Sequence, residues 1–146
     1  MRARLVLYAG DIITAVSGSA TGTARHKTAI VSPEYEGAIA TTGFTKLAIR
    51  KDDEGKPLFL PYYLVALLKS NLVLADIKRR TRGATIPSIN ETDLLEVKIP
   101  LPLDIRKQED IGDKMRGLLE ASKSKISQLE NAYSTYLMDI ESLIVS

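Results

Sequence analysis

From about Asp104 to Ile144 the chain contains no proline, and its glycines, Gly112 and Gly117, fall near the start. Apolar or small residues recur at Ile111, Met115, Leu118, Ser122, Ile126, Leu129, Tyr133, Tyr136, Ile140 and Leu143. Gaps of three and four fit one face of a helix and no strand period. The two successive gaps of four around Ser122 resemble a hendecad step. Roughly 38 residues at 1.5 Å each make a rod on the order of 57 Å long. Such a rod cannot bury its stripe against itself, so it should pack on a second helix, from another chain or another part of the same protein. The expected interface residues are Ile111, Met115, Leu118, Ile126, Leu129, Tyr133, Tyr136 and Ile140.

The preceding residues change character. Residues 1–103 carry 14 Lys/Arg against 10 Asp/Glu, a balance of +4, while residues 104–146 carry 6 against 8, a balance of −2. The division predicts a globular domain over 1–103 and a helical appendage over 104–146. A basic domain on an acidic rod points weakly towards an anionic partner. With no cysteine there is no disulfide framework, no thiolate nucleophile and no cysteine zinc site. A single histidine, His26, argues against a histidine-rich metal site. No apolar run approaches a membrane span and no signal peptide is evident, so no membrane partner and a cytoplasmic location are expected.

Short strands are expected first. LVLY (5–8), DIITAV (11–16), TAIVS (28–32), GAIATTGF (37–44) and KLAIR (46–50) carry β-branched and aromatic residues between turn signals. At Pro61 the period changes, and PYYLVALLKS sets Leu64, Leu67 and Leu68 on one helical face. Ser70-Asn71 weakens the helix, and the next residues, LVLADIKRRTR, continue it until Gly83 stops it. SINETDLLE reads as a turn in which Ser88 and Glu91 have capping-box spacing. VKIPLPL then reads as a strand whose prolines confine it to an edge or an end. The fold class is α/β in the α+β sense: a small twisted sheet with one or two helices, followed by a long C-terminal coiled-coil helix.

Lys78, Arg79, Arg80 and Arg82 form the densest charge cluster, at a predicted helix end. Cations there can complement the helix dipole. They can also meet phosphates, with Thr85, Ser88 and Asn90 in the following loop near base edges. Arg25, His26 and Lys27 end a small-residue loop, which is either a solvated surface or the second jaw of a grip on a duplex. Gly18 and Gly22 followed by Thr23 lack the lysine and spacing of a phosphate loop. Asp52-Asp53-Glu54-Gly55-Lys56 contains an ExK triplet but has the composition of a reverse turn. Tyr62 and Tyr63 are base-stacking platforms or, at the start of an amphipathic helix, partly core. No nucleophile elbow or catalytic triad is evident, and neither a metal nor a cofactor is expected.

RGATIPSINETDLLEVKIPLP (82–102), then Gln108, Ile111 and a long helix, resembles the specificity subunit of type I restriction–modification systems. GDIITAVSGSATG (10–22) and PYYLVALLKSN (61–71) are similar to two further segments of that family, in the same order. Each motif is loose, their order is the specific part, and together they cover almost the whole chain. Three departures stand out: IPLPLDIRKQ has one extra residue and Lys107 where the family tends to have glutamate, the usual opening section of a recognition domain is missing, and one domain stands where the subunit has two. The chain is therefore expected to be a fragment of a longer protein or a half-subunit. The resemblance implies a target recognition domain that reads one half of a split sequence in double-stranded DNA. It also implies a spacer helix pairing antiparallel with its counterpart, in a second recognition half or a homodimer. Modification (methyltransferase) subunits and a restriction subunit would be the partners that carry out the chemistry. The chain itself has neither an NPPY-like nor a Walker motif. The alternative is a protein-interaction adaptor acting through its coiled coil, and an ExK nuclease is a second rival.

Overall fold

The computed structural model describes residues 5–101 and 104–145. Strand β2 (Ile12–Ala15) is the centre of a three-stranded antiparallel sheet, flanked by β3 (Thr28–Ile30) and β5 (Phe44–Leu47). Ile12 faces Ile30 on one side and Leu47 on the other, and Thr14 faces Thr28 and Thr45. A second, two-stranded sheet joins β1 (Leu5–Val6) to β4 (Ile39–Ala40). The single small sheet expected from the sequence is thus two. GAIATTGF is not one strand: the chain turns between β4 and β5, where Phe44 N–H donates to Thr41 O at 3.2 Å.

Alternation in β2 turns Ile12 and Thr14 inward, and both are buried. Helices α1 (Pro61–Lys69) and α2 (Asn71–Arg80) pack over this face. They bury Leu64, Val65 and Leu68, and Val73, Leu74 and Ile77, around Ile12 and Ile89. Each such side chain removed from water contributes about 1.5–3 kcal/mol. The chain breaks between the helices at Ser70, which takes an extended conformation while its hydroxyl donates to Leu67 O at 2.7 Å. The helix expected to continue past the weak point at Ser70-Asn71 is thus two helices.

SINETDLLE contains a short helix, α3 (Glu91–Leu95), rather than a turn alone. Its cap is Asn90, whose Oδ1 accepts from Asp93 N–H at 2.7 Å, and not the Ser88–Glu91 pair. VKIPLPL is not a strand over the described residues 97–101, and Pro102 and Leu103 lie outside them. Its groups bond to side chains instead of a ladder: Lys98 N–H donates to Asp76 Oδ2 at 3.3 Å, and Pro100 O accepts from Tyr63 Oη at 2.6 Å. Tyr63 is core, as its place on an amphipathic helix suggests, while Tyr62 is half-buried.

The rod, α4 (Ile105–Val145), spans 41 residues, or about 60 Å at 1.5 Å per residue. Its first turns lie on α1. Gly112 lies at the contact, where an added Cβ would stand at ordinary contact distance, 3.4 Å from Tyr63 N and 3.5 Å from Tyr62 Cβ. Met115 and Leu119 reach the core cluster. From Glu120 to Val145 every residue is exposed. No helix among the described residues is long and apolar enough to cross a membrane.

Candidate nucleic-acid interface

The loop between β2 and β3 carries Arg25 and Lys27. It turns at Gly18 (φ +124) and again at Gly22 (φ +73). Gly22 lies against α2 so closely that a Cβ would sit 2.7 Å from the Cα and N of Lys78. Glycine is therefore required here both by its conformation and by the approach. Beside this loop, residues 82–88 form a hairpin closed by reciprocal bonds between Arg82 and Ser88, Arg82 N–H to Ser88 O at 2.8 Å and Ser88 N–H to Arg82 O at 2.9 Å. Gly83 (φ +103) makes its turn. The hairpin is stitched to the end of β2, with Gly18 N–H donating to Pro87 O at 3.0 Å and Ile89 N–H to Val16 O at 2.8 Å. The two loops singled out in the sequence are thus neighbours.

The cations divide into two sets. Arg79 and Arg80 both pair with Asp76, and Arg80 also reaches Glu96 at 3.1 Å. The Arg80 side chain is only 19% exposed. Arg82 extends into solvent with Asp93 at 3.7 Å. The Arg79 hydrogen bond, with help from Lys98 N–H and Arg80, holds the Asp76 carboxyl below the usual carboxylate range. Arg80 thus ties α2 to the residue after α3, and its guanidinium is occupied rather than presented.

The second set is Arg25, Lys27, Lys69 and Lys78, none of which makes an ion pair among the described residues. Arg25, Lys27 and Lys69 line one open groove, with Ile13, Ala29 and Phe44 in its floor and walls. Burial pushes the Lys69 ammonium below its ordinary value. Lys69 was not singled out in the sequence, although its place in the last turn of α1, before the break at Ser70, is the signal that was available. Thr85 and Ser88 are exposed on the neighbouring hairpin.

Two expected contact residues are placed otherwise. His26 is 4% exposed and, although it lines the same groove, both its ring nitrogens are bonded inside the fold, so neither is left for a partner. Asn90 spends its side-chain oxygen on the cap of α3. The expected helix interface also divides. Met115 packs into the chain's own domain and Ile111 is half-buried there, whereas Leu118, Ile126, Leu129, Tyr133, Tyr136 and Ile140 are all more than half exposed. The ExK triplet lies in an exposed turn in which Lys56 pairs with Glu54 at 3.4 Å. No group of acidic, histidine or cysteine side chains among the described residues could hold a metal ion.

Residues 5–131 match the model of the type I restriction modification DNA specificity domain. The chain belongs to this family. The HsdS subunit from Thermoanaerobacter tengcongensis is 28% identical in its crystal structure, with a TM-score of 0.55, over 82% of this chain and 28% of that one. A second solved chain, from work on complex assembly and conformational transition of the type I R-M system, is 24% identical with a TM-score of 0.54, over 98% of this chain and 34% of that one. This second likeness concerns the fold. The specificity domain described here thus spans about a third of the length of the solved chains it matches. No curated protein sequence matches it.

Proposed function

We propose that this domain binds double-stranded DNA sequence-specifically as the specificity component of a type I restriction–modification complex. The observation that carries the reading is the groove of Arg25, Lys27 and Lys69, which make no ion pair among the described residues. The loop that carries Arg25 and Lys27 is bonded at its start to the hairpin that exposes Thr85 and Ser88. Unpaired cations set register on phosphates, and short polar side chains on an adjoining projection are suited to base edges. Lys78 and Arg82 flank the same two loops. The contact set is therefore Arg25, Lys27, Lys69, Lys78, Arg82, Thr85 and Ser88, with Arg79 at its edge and Arg80 in support.

The exposed stripe of α4 beyond Leu119 pairs with a second helix, from another recognition half or from a second copy. Modification and restriction subunits dock on that assembly and supply methylation and cleavage, while this chain selects the site. The same exposed stripe favours the second reading, an adaptor whose coiled coil is its whole activity.

Selection from a randomised duplex pool at two salt concentrations separates the two. An enriched short half-site, bound more weakly at higher salt, is the expected result. Absence of duplex binding at either salt would leave the adaptor.

A further inference from the structure

His26 is held from two sides. Gly22 N–H donates to Nδ1 at 3.0 Å, and Nε2 lies 2.8 Å from Thr14 Oγ1. A backbone N–H can only donate, so Nδ1 carries the lone pair and Nε2 carries the proton. Nε2 therefore donates to Thr14 Oγ1, itself 2.7 Å from Thr28 Oγ1 across the β2–β3 pair. The ring connects the centre of the sheet to Gly22, which lies against α2 at Lys78. Arg25 and Lys27 flank it in sequence and line the groove.

We infer that His26 is the positioning residue of this interface: as the neutral Nε2–H tautomer it latches Gly22, and so sets Arg25 and Lys27 against the duplex. The inference rests on the groove being the DNA-binding surface. An imidazolium has two N–H groups and no acceptor, so protonation turns a donor towards Gly22 N–H and breaks the latch. Among the described residues the charged neighbours are all cations: Lys69 from α1, Lys78 on α2 beside Gly22, and Arg25 and Lys27 on the loop itself. The β2 and β3 side chains against the ring, Thr14 and Thr28, are neutral. The consequence runs against simple electrostatics. An added positive charge near phosphates ordinarily tightens binding, whereas here acidification loosens it.

Two substitutions split the ring's two bonds. In His26→Asn the side-chain oxygen stands near the position of Nδ1 and can still accept from Gly22. In His26→Gln the amide reaches the position of Nε2 and can still donate to Thr14, but the latch is lost. Each variant forfeits one bond, so the two unfold at similar temperatures. At about pH 7.5 the full chain and His26→Asn bind a mixed-sequence duplex alike, and His26→Gln binds roughly fivefold more weakly, as expected for one net hydrogen bond. As pH falls from about 8 through the depressed folded value of the ring, the wild-type affinity falls and that of His26→Asn holds. Equal binding by the two variants, or wild-type affinity that rises with acid, overturns the latch while leaving the DNA reading intact. No duplex binding by the wild type overturns both.

Discussion

Gln108 Oε1 accepts a hydrogen bond from Leu60 N–H at 3.1 Å, so the first turns of the rod cap the start of α1. Gln108 is buried, and Gly112, one turn on, packs against the backbone of Tyr63. With Met115 and Leu119 against the core, the rod begins as part of the globular domain and leaves it after about four turns. The boundary near 104 therefore divides the sequence more sharply than the packing.

Gln108→Ala leaves Leu60 N–H without its partner, and the expected loss of stability is about 1–3 kcal/mol. Gly112→Leu forces α4 off α1 and should cost a similar amount. Urea unfolding monitored by circular dichroism checks both. Unchanged midpoints would mean that α4 contributes nothing to the domain.

Arg80→Ala removes the link from Asp76 to Glu96 and should lower the urea midpoint. It should leave the salt dependence of duplex binding unchanged, because its guanidinium is already neutralised. A reduced salt slope with normal stability would return Arg80 to the contact surface.

Arg25→Ala combined with Lys69→Ala should weaken duplex binding and lower the slope of log affinity against log salt. The expected reduction is about 0.9 for each phosphate that the variant no longer neutralises. An unaltered slope in fluorescence anisotropy would remove the groove from the interface.

Burial first, and Lys69 second, hold the His26 ring below its ordinary value of 6.5. In the window between the folded and unfolded values the unfolded chain binds more protons, so stability rises with pH there. The contribution is complete above about pH 6.5 and is lost as pH falls through the depressed folded value. Thermal melting at stepped pH should show a decline below about pH 6.5 that His26→Asn lacks. Identical profiles would show that the ring does not titrate on unfolding.

Leu118→Asp with Leu129→Asp places two charges on the exposed stripe, where the side chains now meet no neighbour that buries them. Self-association or docking should be lost while the domain melts normally, as read by sedimentation. Met115→Asp, in contrast, should destabilise the domain, because Met115 packs on its core. A dimer that survives the double substitution would refute the seam.

The position of Pro61, the spacing of Leu64, Leu67 and Leu68, and the proline-free stripe from Ile111 onwards were enough to place α1 and α4, because helical periodicity is a local property. Strand limits were less legible. β4 and β5 are short, and their ends depend on partners such as Gly43 O, which accepts from Val16 N–H. The segment from Val97 to Leu101 has strand composition, yet its groups are taken by Asp76 and Tyr63, contacts no local pattern contains.

Charge was legible by residue but not by role. The sequence by itself determined that cations concentrate at residues 25–27 and 78–82, that a helix ends at the second of these, and that the rod's stripe needs a partner. Tertiary structure alone decided that Asp76, Glu96 and Asp93 engage Arg79, Arg80 and Arg82, that Lys69 joins Arg25 and Lys27, and that His26 turns inward to Thr14. The physical reason is that helical and strand periods arise from bonds between near neighbours, whereas the availability of a charge depends on which distant side chains the packed core brings within reach.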